Sequence, residues 1–209
     1  MKFLILVLAT LCLPMSALSQ VNPAAEASNQ FAFDMYKVNA KNSDNLFFSP
    51  LSLEAALAMT AAGAQNETLN QMTKTLHLPP NYHPEFRTLL GQLKGGRHFQ
   101  LFIANRIWGS LGTEYYPSFL NLLQENYGAG LSGLDFKTQP EPSRLKINEW
   151  VQQQTKDKIK DLLPQKSITA ETDLVLTNAI YFKGKWAEPF KKDLTKEDSF
   201  FVAATQKKS

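Results

Sequence analysis

The sequence predicts a mixed fold in which helices pack against a buried sheet, and three stretches carry that expectation. LVLTNAIYF, residues 174 to 182, is almost continuously apolar over the length of a strand. That is the pattern of a strand buried on both faces in the middle of a sheet. LSLEAALAMTAAGA, residues 51 to 64, is rich in alanine and has Glu54 as its only charge; a helix apolar nearly all round is a buried helix. From Ile147 through Trp150, Val151, Ile159 and Leu162 to Leu163, apolar residues recur at helical intervals, while Gln152, Gln153, Lys156, Asp157 and Lys160 fill the other side. A long helix with one dry face lies across a sheet rather than inside a bundle.

The first nineteen residues, MKFLILVLATLCLPMSALS, stand apart. A basic start at Lys2, an apolar run from Phe3 to Leu13 and small residues at Ala17 and Ser19 have the form of a secretory signal peptide cleaved after Ser19. The run is short for a membrane span, and an uncleaved anchor is the alternative. Residues 20–209 read as one unit, with no repeat, low-complexity tract or dividing linker. Removing the leader takes away Cys12, the one cysteine. An exported chain without disulfides is held together by its packed core. Losing Lys2 and no acid lowers the formal charge from +3 to +2, which gives no electrostatic case for nucleic acid or an anionic membrane.

In the mature chain, ASNQFAFDMYKV (27 to 38) sets Phe31, Met35 and Val38 at helical spacing, with Ser28 as the expected cap. KNSDN (41 to 45) is a turn cluster, and Leu46-Phe47-Phe48 is expected as a short buried strand. Ser49 fits a helix N-cap with Pro50 at the first helical position, where a missing N–H costs nothing. Gly63 is the expected stop of the alanine-rich helix. Glu67 to Leu76 resumes a helical pattern through Leu69 and Met72 until Pro79-Pro80 ends it. FQLFIANRIW (99 to 108) is a strand; Tyr116 to Tyr127, with Phe119, Leu120, Leu123 and Tyr127 on one face, is a helix capped by Gly128; LSGLDF (131 to 136) is a second short strand. Thr138 to Glu141 has capping-box spacing at the head of the long helix. After LVLTNAIYF, GKW turns the chain, and PFKKDLTKEDSFFVA ends in a short apolar stretch.

Residues that could carry chemistry are few. His77, His83 and His98 lie at loop-like or element-edge positions without paired ligand spacing, and no mature cysteine joins them, so neither metal nor cofactor is expected. Gly95-Gly96 lack the strand-to-helix context of a phosphate loop. A serine hydrolase needs a nucleophile, a base and an orienting acid, yet there is no G-x-S-x-G elbow, and Ser49 precedes a proline on what reads as a buried cap. No catalytic residue is therefore expected. Lys183, Lys185, Lys191, Lys192 and Lys196 form a basic run that either meets an acidic polysaccharide or acid-rich partner, or is simply a solvated edge. Asn66 to His77 has Lys74 as its one lysine or arginine and offers no glycosaminoglycan-binding helix. Asn66-Glu67-Thr68 is a sequon with an allowed middle residue, a candidate for N-glycosylation where the source is eukaryotic and the site exposed. Ser49, Ser52 and Asn178 sit where the surrounding pattern predicts burial. A buried hydroxyl or amide without a partner costs about 1 to 3 kcal/mol, so each either satisfies nearby backbone or joins a mutual network.

LFFSPLSLEAALAMTAAGA, ETLNQM, LFIANRIW, RLKINEWVQQQTKDKIKDLL and TDLVLTNAIYFKGKW with PF after it occur in the order and spacing of the serpins. From about Ala27 to Val202 the chain resembles that family. The resemblance implies an α+β serpin fold in which a central sheet A is covered by a helix F, about Pro140 to Leu163. LVLTNAIYF would be the third strand of that sheet and FQLFIANRIW the second. LFFSP would be the end of strand 6B running into buried helix B. It further implies that Ser49, Ser52 and Asn178 form the family's shutter, a hydrogen-bonded cluster under the place where sheet A parts, and that Trp186 is the aromatic of the breach at the top of the sheet. These are conformational roles.

The resemblance also implies a serine-type endopeptidase inhibitor that acts as a suicide substrate. A reactive loop is offered to a serine or cysteine protease; cleavage lets the loop enter sheet A, and the trapped nucleophile belongs to the target. The chain stops at Ser209, roughly halfway through such a domain. Strand 5A, the reactive loop with its scissile bond and the last strands of sheets B and C are therefore expected to be absent, whether through an incomplete product or a genuine short form. The 209 residues are not expected to inhibit by themselves. A non-inhibitory serpin acting as carrier, chaperone or structural partner is the alternative, and a secreted serine hydrolase using Ser49 is a third. Export places the chain in the extracellular space, or in the periplasm of a bacterium.

Overall fold

The computed structural model describes residues 21–40, 45–94, 99–203 and 206–208. The leader with Cys12, residues 41–44 of the turn cluster, Gly95-Gly96 and His98 lie outside them.

The first helix, α1 (Pro23–Asn39), begins where the Asn22 side chain accepts the amides of Ala24 and Ala25, with proline in the first turn. The cap is thus Asn22 and not Ser28. Asparagine before proline starts the helix a turn earlier, and Ser28 inside it turns its hydroxyl to Glu54. In α2 (Pro50–Ala61), Ser49 is the N-cap, its Oγ accepting the Ser52 amide at 3.3 Å. Leu46-Phe47-Phe48 forms no strand, and Phe47 is fully exposed, because no strand among the described residues lies alongside to pair with it. Next come α3 (Asn66–Thr75) and α4 (Tyr82–Leu93). The proline-rich window hides α4 in the sequence, yet Pro84 sits in its first turn, where proline is tolerated.

Strand β1 (Phe99–Ser110) leads to α5 (Pro117–Tyr127), which stops at Gly128 in the left-handed region (φ +67°). Strand β2 (Gly130–Leu134) and helix α6 (Pro140–Gln154) follow. The expected capping box does not form. Gln139 is the cap and makes no side-chain bond, while the hydroxyl and amide of Thr138 both go to Asp135, an acceptor three residues earlier. Nor does the helix reach Leu163. Lys156 and Asp157 adopt positive φ (51° and 61°) and reverse the chain. The return is then pinned to the helix it left: Leu163 donates to Asn148 Oδ1 (2.8 Å), and its carbonyl accepts from Asn148 (2.9 Å) and Arg144 (2.6 Å).

Strand β3 (Leu174–Gly184) completes a three-stranded sheet of order β2-β1-β3, with β1 parallel to β2 and antiparallel to β3. The expectation of a mid-sheet strand is corrected: β3 is an edge strand of the described sheet, and only Thr177 and Ala179 on it are buried. The residues packed into the cores, Leu174, Val175 and Leu176, belong to its first half, and Phe182 beyond them is exposed. A short antiparallel pair, β4 (Phe200–Ala203) and β5 (Gln206–Lys208), ends the chain.

Side-chain alternation gives the sheet two dry faces. On one, Ile103 and Ile107 of β1 with Leu174 and Leu176 of β3 meet Phe31, Met59, Phe86 and Leu123 from the helices. Ala55 and Ala58 of α2 are fully buried there, so the alanine-rich sequence lets that helix approach closely. On the other face Trp108, Leu134 and Phe136 pack with Ile147 and Trp150 of α6.

Candidate functional site: a polar seam between α2 and the sheet

The first turn of α2 faces the middle of β3, and there the seam is polar. The Ser52 hydroxyl donates to Asn178 Oδ1. Asn178 Nδ2 donates to Asn105 Oδ1 at 2.6 Å, and Asn105 Nδ2 donates to the Tyr127 carbonyl at 2.8 Å. The line crosses both strands because antiparallel register places Asn105 directly opposite Asn178. Asn105 is buried, and Ser52 and Asn178 are half-buried. Each amide that burial would leave unsatisfied is thereby partnered.

Of the three residues expected to meet here, Ser52 and Asn178 do. Ser49 is exposed and joins only through the amide of Ser52, so its expected burial is corrected: the cap sits at the mouth of the seam. The seam opens into a cleft of about 570 Å³ walled by Met35, Phe48, Leu53 and Leu176. No base stands beside Ser49 among the described residues; the His77 ring pairs with Asp34 (2.8 Å) and that of His83 with the Tyr127 hydroxyl (2.8 Å). Sequence reading missed Asn105. The one local signal is that Asn105 falls between Ile103 and Ile107 on the same face of a strand that also carries Gln100 and Arg106, and its meaning depends on a register that local pattern does not set.

A second polar group lies deeper. Glu54 is fully buried, with one carboxylate oxygen held by the Ser28 hydroxyl and the other, Oε1, without a partner. Burial pushes its carboxyl up to about 7, against the pull of the Ser28 hydroxyl and, more weakly, of His77. Burial also lowers His83 to about 4 and raises Tyr127, so that pair stays neutral near pH 7.

The other expected positions lie apart from the seam. Trp186 is exposed and meets Phe190 edge to face at 5.7 Å. Asn66 is exposed at the first position of α3, with φ 50°. Lys183, Lys185, Lys191, Lys192 and Lys196 are all exposed. Among the described residues no three His, Cys, Asp or Glu side chains converge as metal ligands, and no helix is long and apolar enough to cross a membrane.

An asparagine pair across two strands, tied to the first turn of a buried helix, can be compared with known proteins. The family profile described as "Serpin (serine protease inhibitor)" matches residues 26–209. The chain belongs to the serpin family. Human Serpin B4 is 36% identical over 201 residues, covering 87% of this chain and 52% of that protein. The leukocyte elastase inhibitor of Xenopus laevis is 39% identical over 191 residues, covering 88% and 51%. Among solved structures, emu (Dromaius novaehollandiae) ovalbumin superposes with a TM-score of 0.82 at 29% identity over 88% of this chain and 53% of its own. The chain therefore spans about half the length of the serpins it matches. In serpin terms the β2-β1-β3 sheet is part of sheet A, α6 is helix F and α2 is helix B, as the resemblance implied.

Proposed function

We propose that residues 20–209 are the N-terminal half of a secreted serpin whose full-length form inhibits a serine-type endopeptidase as a suicide substrate, and that the 209 residues alone do not inhibit. The observation that carries this reading is the hydrogen-bonded line from Ser52 through Asn178 to Asn105 beneath β3. A sheet that parts beside β3 to admit a further strand needs a latch under that strand, and this line ties β3 both to β1 and to α2. Its outer edge carries no partner among the described residues. Ser49, Ser52 and Asn178 are then shutter residues with Asn105 as a fourth member, and Trp186 is the breach aromatic. The protease supplies the nucleophile, so the chain needs none.

Incubation of the 209-residue chain with trypsin-like, chymotrypsin-like and papain-like proteases is expected to give no denaturant-stable covalent complex. One such complex sinks the claim that this half is inactive. A form extended through the downstream coding sequence is expected to trap at least one serine protease as an acyl-enzyme, and simple cleavage by every protease tested would remove the inhibitory reading. Export is checked separately by the N-terminus of the secreted product, expected at Gln20.

A further inference from the structure

The opposite face of the sheet holds a second cavity, about 310 Å³, between α6 and the strands β1 and β2. Arg106 of β1 stands in it. Its guanidinium carbon lies 5.4 Å from the Trp108 ring centre and 5.3 Å from that of Trp150, and the two indoles meet edge to face at 5.6 Å. A guanidinium set against two indoles is held in place by their ring electrons, which leaves its in-plane N–H groups free to choose acceptors. One, on Nη1, goes to Ser132 Oγ at 3.0 Å. Among the described residues no carboxylate lies within ion-pair distance of Arg106.

Arg144, on α6, gives the contrast. Its Nε and Nη2 meet both oxygens of Glu141 (2.9 and 2.7 Å) and its Nη1 meets the Leu163 carbonyl at 2.6 Å, all in a side chain that is almost fully buried. That arginine is engaged wholly in structure. Arg106, half-buried against the two indoles, makes a side-chain hydrogen bond to Ser132 alone among the described residues and keeps its other N–H groups available. Lys146 adds a second positive charge to the cavity wall, and the single carboxylate there, Glu149, accepts the Gln153 amide at 3.4 Å.

We propose that this cavity binds a small carboxylate carried on an aromatic ring. Arg106 takes the carboxylate through the N–H groups that Ser132 leaves free, Lys146 balances its charge, and the indole of Trp150 packs on the ring. The volume is at the lower end of small-molecule sites and suits a one- or two-ring acid. Because stacking has already fixed the guanidinium, binding loses little side-chain freedom. Such a ligand bridges α6 to β1 and β2. The inference stands apart from protease inhibition and holds whether or not the chain inhibits anything.

The test is titration of the 209-residue chain with naphthalene-2-carboxylate, following the three indole N–H resonances. The Trp108 and Trp150 signals are expected to shift saturably while that of Trp186 stays, and amide exchange along α6 is expected to slow. The neutral analogue naphthalene-2-carboxamide should bind at least about tenfold more weakly, since a charge-assisted fork is lost. Arg106→Gln should produce the same loss, and Lys146→Gln a loss of about two- to threefold. Equal binding of acid and amide, a shift confined to Trp186, or no saturable shift at all would each overturn the proposal. The acid-to-amide comparison uses the unaltered chain, so it decides the matter even if Arg106→Gln fails to fold.

Discussion

The two faces of the β1–β3 pair bury polar groups in different ways. Toward α2, Asn105 and Asn178 are partnered by each other, by Ser52 and by a helix carbonyl, so each bond depends on a group from another element. Toward α6, the Trp108 indole donates to Thr177 Oγ1 at 2.9 Å, and the Thr177 hydroxyl also reaches the Arg106 carbonyl at 3.4 Å. There the Trp108 and Thr177 hydrogen bonds stay within the sheet, and α6 is held on it by rings and aliphatic side chains together with the Arg106 guanidinium against the Trp150 indole. Directed bonds fix α2 to the sheet in one register. A face held mainly by dispersion and area tolerates sliding.

That contrast can be tested by urea unfolding of single variants. Asn105→Ala is expected to show the largest loss, about 4 kcal/mol, since it strands the Tyr127 carbonyl and Asn178 Nδ2 and opens space around them. Glu54→Gln sharpens the same face in the other direction. The folded carboxyl titrates near 7 and the unfolded one near 4.5, so the folded chain holds the extra proton between those values. Stability is then full below about pH 4.5 and falls as pH rises through 7. Glutamine cannot ionise, so the variant is expected to be about 3 kcal/mol more stable than the parent at pH 8 and equal to it near pH 4; a pH-independent difference would contradict this account. Thr177→Val, on the α6 face, leaves one indole N–H unpaired and is expected to cost about 1.5 kcal/mol. Ser49→Ala removes an exposed cap and is expected to cost about 0.5 kcal/mol. If Thr177→Val costs as much as Asn105→Ala, the two faces do not differ as described.

Periodicity read the strongly patterned elements well: α2, α5, β1 and β3 fall within a few residues of their expected spans. What it misjudged depends on partners rather than on local sequence. Leu46-Phe48 has strand composition and no ladder to join. The helical spacing of Ile159 to Leu163 survives on paper, although two residues at positive φ have already turned the chain and the Asn148 side chain holds the return. Two of the three seam residues were legible as polar groups in apolar surroundings. Asn105 was not, because its role comes from standing opposite Asn178 across an antiparallel pair. The same holds for Ser28, which looks like a cap until α1 and α2 are packed and its hydroxyl meets Glu54.

The donors and acceptors along the seam all point one way. The Ser52 hydroxyl donates a hydrogen bond to Asn178, Asn178 donates one to Asn105, and Asn105 donates one to the carbonyl of Tyr127, the last helical residue of α5. The first turn of α2 is the positive end of one helix, and the Tyr127 carbonyl is at the negative end of another. Two amides and a hydroxyl therefore form a one-way relay joining opposite poles of two helix macrodipoles through the sheet. Bonds aligned in series polarise one another, so stretching any one of them weakens the rest. Separating α2 from β3 breaks the first bond of the series and weakens the two behind it, which end on the C-terminal carbonyl of α5.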